Sequence, residues 1–222
     1  YALQYRTVTL QTNSRVIRLE TSADGSRIET VHYQHNGDSK SVSPKLVILS
    51  AGAIRSATLL LSSANGRNPN GLANSSDQAG RNFMNHNATF MLAIDPRTVN
   101  DSVYQKTIHF NDFYFDDGHG SGPLGQVQLL GRVTTPILKT RVPLVPEIAL
   151  NWICRHAVDW YLVSEDLPRK ESRVRLDGPQ VILEWRFSNM AAHDLLVKRV
   201  KQRMRAAGYP ILLCQLVDGR LP

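Results

Sequence analysis

Apolar and polar residues alternate through the first third of the chain. Residues 8–12 alternate, and residues 15–20 alternate more clearly, with Val16 and Ile17 directed to opposite faces. Asp24-Gly25 is a turn signal, and residues 28–33 return as the partner strand before Asn36-Gly37-Asp38 turns the chain again. Residues 41–44 then lead into 45–49, an unbroken apolar run of the kind that a parallel sheet covers on both faces. Directly after it, Ser50-Ala51-Gly52-Ala53-Ile54 passes into residues 55–62. There the period changes from strand to helix, with Ser56 placed to support the helix start. Residues 64–76, rich in Asn, Gly, Ser and Pro, form a loop, and residues 80–86 form a compact polar and apolar segment.

From Ala88 the character changes. Residues 90–94, 126–133, 159–164, 173–176 and 181–187 alternate or carry β-branched and aromatic side chains, which predicts a broad antiparallel sheet with long loops at 95–125 and 135–155. Asn189 is expected to cap a helix over 190–207 whose apolar stripe is Leu196, Val197, Val200 and Met204. Asp194 lies in its first turns and Lys201, Arg203 and Arg205 near its end, where Gly208 stops it. The pattern contains no internal repeat. It predicts a mixed α/β (α+β) architecture.

Composition narrows the class. The chain has 222 residues, 42% apolar and 20% charged, enough for one large domain or two interleaved halves and unlike a disordered chain. No apolar run approaches the roughly 20 residues of a membrane span. Net charge is +7, but the basic residues are scattered, with clusters only at Arg169-Lys170, Arg173, Arg175 and 198–205. Aromatic residues do not interleave with them, so a solvated face is expected and a nucleic-acid partner is not. The positive charge also suits an anionic cofactor or an acidic partner. Cys154 and Cys214 have no CxxC spacing and read as free buried thiols; a disulfide stays open, and with it a cytoplasmic or periplasmic location. The chain opens at Tyr1-Ala2-Leu3 without Met, and residues 219–222 read as an interrupted loop.

Chemistry concentrates at the strand, small turn and helix of 45–62. Cofactors of α/β proteins bind beyond the carboxyl ends of strands, where a helix start offers free N–H groups and the positive end of its dipole. Ala51, Gly52 and Ala53 have almost no side chain, so a ligand can lie against the backbone there. Any tight turn of this type favours small residues, and Ala-Gly-Ala alone is a weak signal. In context, residues 47–63 closely resemble the second signature of the glucose–methanol–choline (GMC) oxidoreductase family, an apolar strand followed by Ala-Gly-Ala, Ser-Pro and a Leu-rich helix ending in Ser. Gly80-Arg81-Asn82-Phe83-Met84-Asn85-His86 is similar to the family's Val-Gly-Arg-Asn-Leu-x-Asp-His segment. Residues 8–16 are similar to its strand pair, in which a valine main chain meets the flavin adenine; Val16 is the matching position. Asp166-Leu167-Pro168 with Ser172-Arg173-Val174-Arg175-Leu176 resembles its Pro-x-x-x-Ser-Arg-Val-x-Leu stretch. The chain departs from the pattern at Ala57, at residues 63–66 and at Asn85, and in flavour it lies nearer the sugar- and gluconate-dehydrogenase branch than the choline branch.

The resemblance implies part of an FAD-binding domain at 1–86, a substrate-binding domain at 87–215 and, at 216–222, the lead-in to a catalytic segment. It implies FAD held at Val16, Ser50, Ala51, Gly52 and Ala53, and a small-molecule alcohol or sugar substrate whose hydride passes to the flavin while a histidine takes its proton. An electron-acceptor partner is expected as well. No GxGxxG occurs; Gly118-His119-Gly120-Ser121-Gly122 follows acidic residues and reads as a loop. No catalytic residue is assigned within the chain, whose catalytic histidine is expected beyond Pro222. His109, His119 and His193 read as surface or loop, His86 as structural or near the flavin, and His156 beside Cys154 lacks a third metal ligand. Isolated, the chain is expected to be inactive. Two other readings stay open, a self-sufficient binding module and a homologue without catalysis, and the flanking coding sequence discriminates among the three.

Overall fold

A computed structural model of the protein describes residues 2–103, 106–116 and 118–217; the expected lead-in therefore lies mostly outside the described residues. In chain order the elements are β1 (Ser14–Thr21), β2 (Ile28–His35), β3 (Asp38–Val42), α1 (Gly52–Ser62), β4 (Asn87–Ile94), β5 (His109–Phe110) and β6 (Gln126–Leu129). They continue with α2 (Thr135–Arg141), α3 (Glu147–His156), β7 (Ala157–Ser164), β8 (Arg173–Asp177), β9 (Gln180–Glu184), α4 (Met190–Ala206) and β10 (Ile211–Leu216). Helices and antiparallel sheets are both present, so the fold is mixed α/β as expected. No helix among the described residues is long and apolar enough to cross a membrane. The chain divides into two units, Tyr1–Met84 with Pro168–Arg186, and Asn85–Leu167 with Phe187–Pro222.

In the first unit β1, β2 and β3 form an antiparallel meander. Asn36 and Gly37 both take positive φ (51° and 95°), the hairpin geometry that matches strand twist. Polar β3, Asp-Ser-Lys-Ser-Val, carries no apolar alternation and was not expected from the pattern. Leu19 and Val31 pack with Leu72 into a small core, and Val47, Leu59 and Leu60 border it.

The strand expected at 45–49 is not laddered. Val47 packs against the core, but Leu46 and Ile48 are 77% and 81% exposed. An apolar run with both faces hydrophobic needs neighbours on each side, and the described residues supply one. Residues 8–12 are likewise unladdered, with Val8 and Leu10 exposed. The strands at 173–176 and 181–187 also differ from expectation. Among the described residues they form a two-stranded hairpin, β8–β9, that belongs to the first unit rather than to the broad sheet. Backbone contacts explain the placement: Val174 N–H donates to Gly80 O (2.7 Å) and Phe83 N–H to Ser172 O (2.8 Å).

The second unit is built on a five-stranded antiparallel sheet in the order β10-β4-β7-β6-β5. One face meets α4, where Leu196, Val200 and Met204 pack on Met91, Trp160 and Leu162. The helix and its stripe fall where the pattern places them, yet Asn189 does not cap it. That residue holds the left-handed conformation (φ 55°) and its amide donates to Glu165 O instead. The loop expected at 135–155 is largely the helices α2 and α3. Pro136 lies in the first turn of α2 and Pro146 precedes α3, positions where proline starts a helix instead of breaking it. His193, read as surface, is 1% exposed on α4. Cys154 is buried, whereas Cys214 is exposed, and both thiols are free.

Candidate functional site

The bend that begins α1 is built by subtraction. Ser50, Ala51, Gly52 and Ala53 are exposed, Gly52 holds φ +78°, and a Cβ added to it would meet nothing within 4 Å. Ala51 stands at the N-cap without a side-chain hydrogen bond to the helix, and no acidic residue occupies the first turn. The Ser56 hydroxyl accepts from Ala51 N–H (3.2 Å), which folds the bend onto the helix. The first N–H groups of any α-helix lack partners within it, and Arg55 beside them adds positive charge. The result is an open, uncapped helix start with small residues and no carboxylate in its first turn, which fits an anionic group such as a pyrophosphate.

The other end of α1 is anchored. Ser63, fully buried, accepts from Leu19 N–H (2.9 Å) and donates to Leu59 O (2.6 Å), so β1 docks at the helix C-terminus. An 11-residue helix is about 16 Å long, and no hydrogen bond among the described residues joins Val16 to residues 50–53. Val16 lies on β1 opposite Tyr33, next to a register shift that leaves Ile17 unpaired. Because of that bulge Val16 and Ile17 are both exposed, 43% and 38%, in place of the opposite-face arrangement the alternation predicts. Residues 80–83 brace β8 in the same unit, so two sequence landmarks ninety residues apart stand side by side.

A second surface was not visible as a pattern in the sequence. Strand register aligns His109, Gln128, Tyr161, Phe90 and Gln215 in one row across all five strands of the second unit's sheet, on the face opposite α4. Residues directly opposite in a ladder share a face. Phe90 and Tyr161 stack at 5.2 Å between centroids, and the Lys106 ammonium lies 5.5 Å over the Tyr161 ring. Burial raises the Tyr161 hydroxyl above its ordinary pKa. The adjacent row, Met91, Trp160 and Leu129, faces α4. Only the pairing register separates the two, which is why alternation alone did not single out the polar row.

The histidines are dispersed. His193 is held between the Thr89 hydroxyl (2.8 Å) and the Ser164 hydroxyl (2.9 Å), and burial lowers its pKa, so it stays neutral with both ring nitrogens engaged. His156 Nδ1 meets Thr98 O, and His86, His109 and His119 are exposed.

Comparison with known proteins gives a consistent result. The GMC oxidoreductase family model matches residues 2–88, which contain the meander, the bend, α1 and the 80–86 segment. The fructose dehydrogenase large subunit of Gluconobacter japonicus is 30% identical over 171 residues, covering 74% of this chain and 31% of its own length. The chain thus spans about a third of the curated relative it matches, and the similarity reaches well past residue 88. Residues 2–88 thus match the GMC oxidoreductase family, and the wider similarity is to a sugar dehydrogenase subunit.

Proposed function

We propose that the chain supplies part of the FAD site and the substrate-facing sheet of an oxidoreductase that acts on a CH–OH group of an alcohol or sugar. The open bend at Ser50–Ala53, inside the family match, carries the reading. Ser50, Ala51, Gly52 and Ala53 would take the anionic part of FAD against the uncapped helix start, and the Val16 main chain would meet its adenine. Bound FAD supplies the hydride acceptor. The family match ends at residue 88, near the boundary between a flavin-binding part over 1–86 and a substrate-binding part over 87–215, of which residues 168–186 belong to the first unit.

In the second part, Tyr161 and Phe90 offer an aromatic surface and Gln126 and Gln128 offer amides half-open to solvent. That combination suits a hydroxyl-bearing substrate, whose C–H faces lie on rings while its oxygens meet amides. Both ring nitrogens of His193 are engaged by hydroxyls, which suits a structural role and not that of the base. An electron-acceptor partner with an acidic surface suits the net charge of +7.

A charge substitution at the helix start tests the reading. Ala51→Asp adds an N-cap carboxylate, which holds or raises helix stability while repelling an anion. Titration of the 222-residue chain with FAD, followed by flavin fluorescence, is expected to show weak saturable binding that A51D reduces about tenfold or more. Equal FAD affinity in the two proteins would sink the site. With fructose or simple alcohols and a dye acceptor, the chain alone is expected to turn over nothing.

A further inference from the structure

We infer that the second unit carries a binding pocket for a medium-chain carboxylate, between the β10–β4 edge of its sheet and the α2–α3 hairpin, bordered by Phe90 and Gln215 at the end of the polar row. A half-open cavity of about 380 Å³ lies there. Leu92 and Leu213, paired across β4 and β10, form its floor, and Leu138, Val145, Leu150 and Ile153 form its walls. Native interiors are packed without hollows much larger than a water molecule. Ligand pockets run from roughly 300 to 1,000 Å³ and are mostly apolar, with a few placed polar groups. This cavity has both properties.

Its walls are built rather than loose. The Thr135 hydroxyl donates to Asn151 Oδ1 at one end of the helical hairpin, and Lys139 Nζ donates to Val145 O (2.8 Å) at the other. Leu150, 1% exposed, is the buried wall residue of α3. The first tie joins α2 to α3, and the second fastens the connecting loop, whose Val142 and Val145 also line the cavity, back onto α2.

The polar groups define the guest. Arg141 is the charged residue of the lining, at the C-terminal end of α2, and it forms no ion pair with any carboxylate among the described residues. Gln215 adds an amide. A guanidinium at the rim of an apolar hollow matches a carboxylate head on a hydrocarbon tail, since the fork geometry takes two oxygens at once. An apolar tail displaces water from Leu92, Leu213 and Ile153, which drives binding without further polar contacts.

Decanoate below its micellar concentration, titrated calorimetrically into the 222-residue chain, tests the pocket; decanamide is the neutral control. We expect saturable one-site binding of decanoate. Arg141→Gln weakens it about tenfold or more while changing decanamide binding less than about twofold. Leu138→Trp, which fills the hollow, abolishes both, with circular dichroism reporting that the variant is folded. Absence of saturable decanoate binding overturns the pocket. Unchanged decanoate affinity in folded L138W does so too, and if L138W fails to fold, unchanged affinity in R141Q overturns it alone. FAD titration of the same proteins is expected to be unaffected, so failure here and failure of the flavin site are distinguishable.

Discussion

His193 illustrates what one side chain does for the second unit. It joins α4 to β4 and β7 through two hydroxyls, and burial favours the neutral imidazole, in which one nitrogen donates and the other accepts. Burial lowers its folded pKa below the ordinary value of 6.5. The unfolded chain therefore binds more protons than the folded one as pH falls below about 6.5. The stability contribution is complete above that value and shrinks downward through the lowered folded pKa. We expect the urea midpoint of the second unit to be level from pH 7 to 8 and to fall between pH 6.5 and 5, whereas His193→Ala loses about 2–4 kcal/mol at neutral pH and shows a weaker pH slope. A variant with an unchanged slope would assign the titration elsewhere. Nothing in the sequence around His193 separates a buried imidazole from an exposed one; its partners Thr89 and Ser164 lie 104 and 29 residues away.

Elements were legible where each decides its own structure. β1, β2, β4 and β7 follow from alternation, and α4 follows from Leu196, Val200 and Met204 at helical spacing before Gly208. The bend at 50–53 was legible for the same local reason, because small residues between an apolar run and a helix have a backbone meaning. Elements fixed by distant contacts were not. β8–β9 reads as part of the large sheet until Gly80 and Phe83 bond to it. The run at 45–49 states its hydrophobicity but not its neighbours, and the polar sheet row depends on register that no single strand encodes. Helix α3 gives a direct test of the misread segment. Leu150 is 1% exposed and Ile148 is 82% exposed, two residues apart on one helix. Leu150→Ala is expected to destabilise by about 2–5 kcal/mol and Ile148→Ala by under about 0.5 kcal/mol, measured by urea unfolding. Similar losses at both positions would fit a loop better than a helix.

At the scale of the whole molecule, the chain passes between its two units three times, after residues 84, 167 and 186. Each unit nevertheless has its own core. The first is small, with Leu19, Val31 and Leu72 buried together, and its strands expose Val16, Ile17 and Val42. The second buries a larger cluster that includes Met91, Val127, Leu162, Leu196 and Val200. Less apolar burial means less stabilisation to offset chain entropy, so the first unit should open at lower denaturant. Substitutions in each unit should then move separate transitions. Gly80 holds φ +80°, and an added Cβ would lie 2.4 Å from Val174 O, a backbone atom that cannot yield without breaking the contact with β8. Gly80→Ala is expected to cost about 1–3 kcal/mol and to lower only the first transition. Leu196→Ala, in the larger core, is expected to cost about 2–5 kcal/mol and to lower only the second. Hydrogen exchange followed by mass spectrometry on peptides from β1–β2 and from β7 reads the two units separately. If both substitutions shift both sets of peptides equally, the three chain crossings bind the units into one cooperative body, and two small cores behave as one.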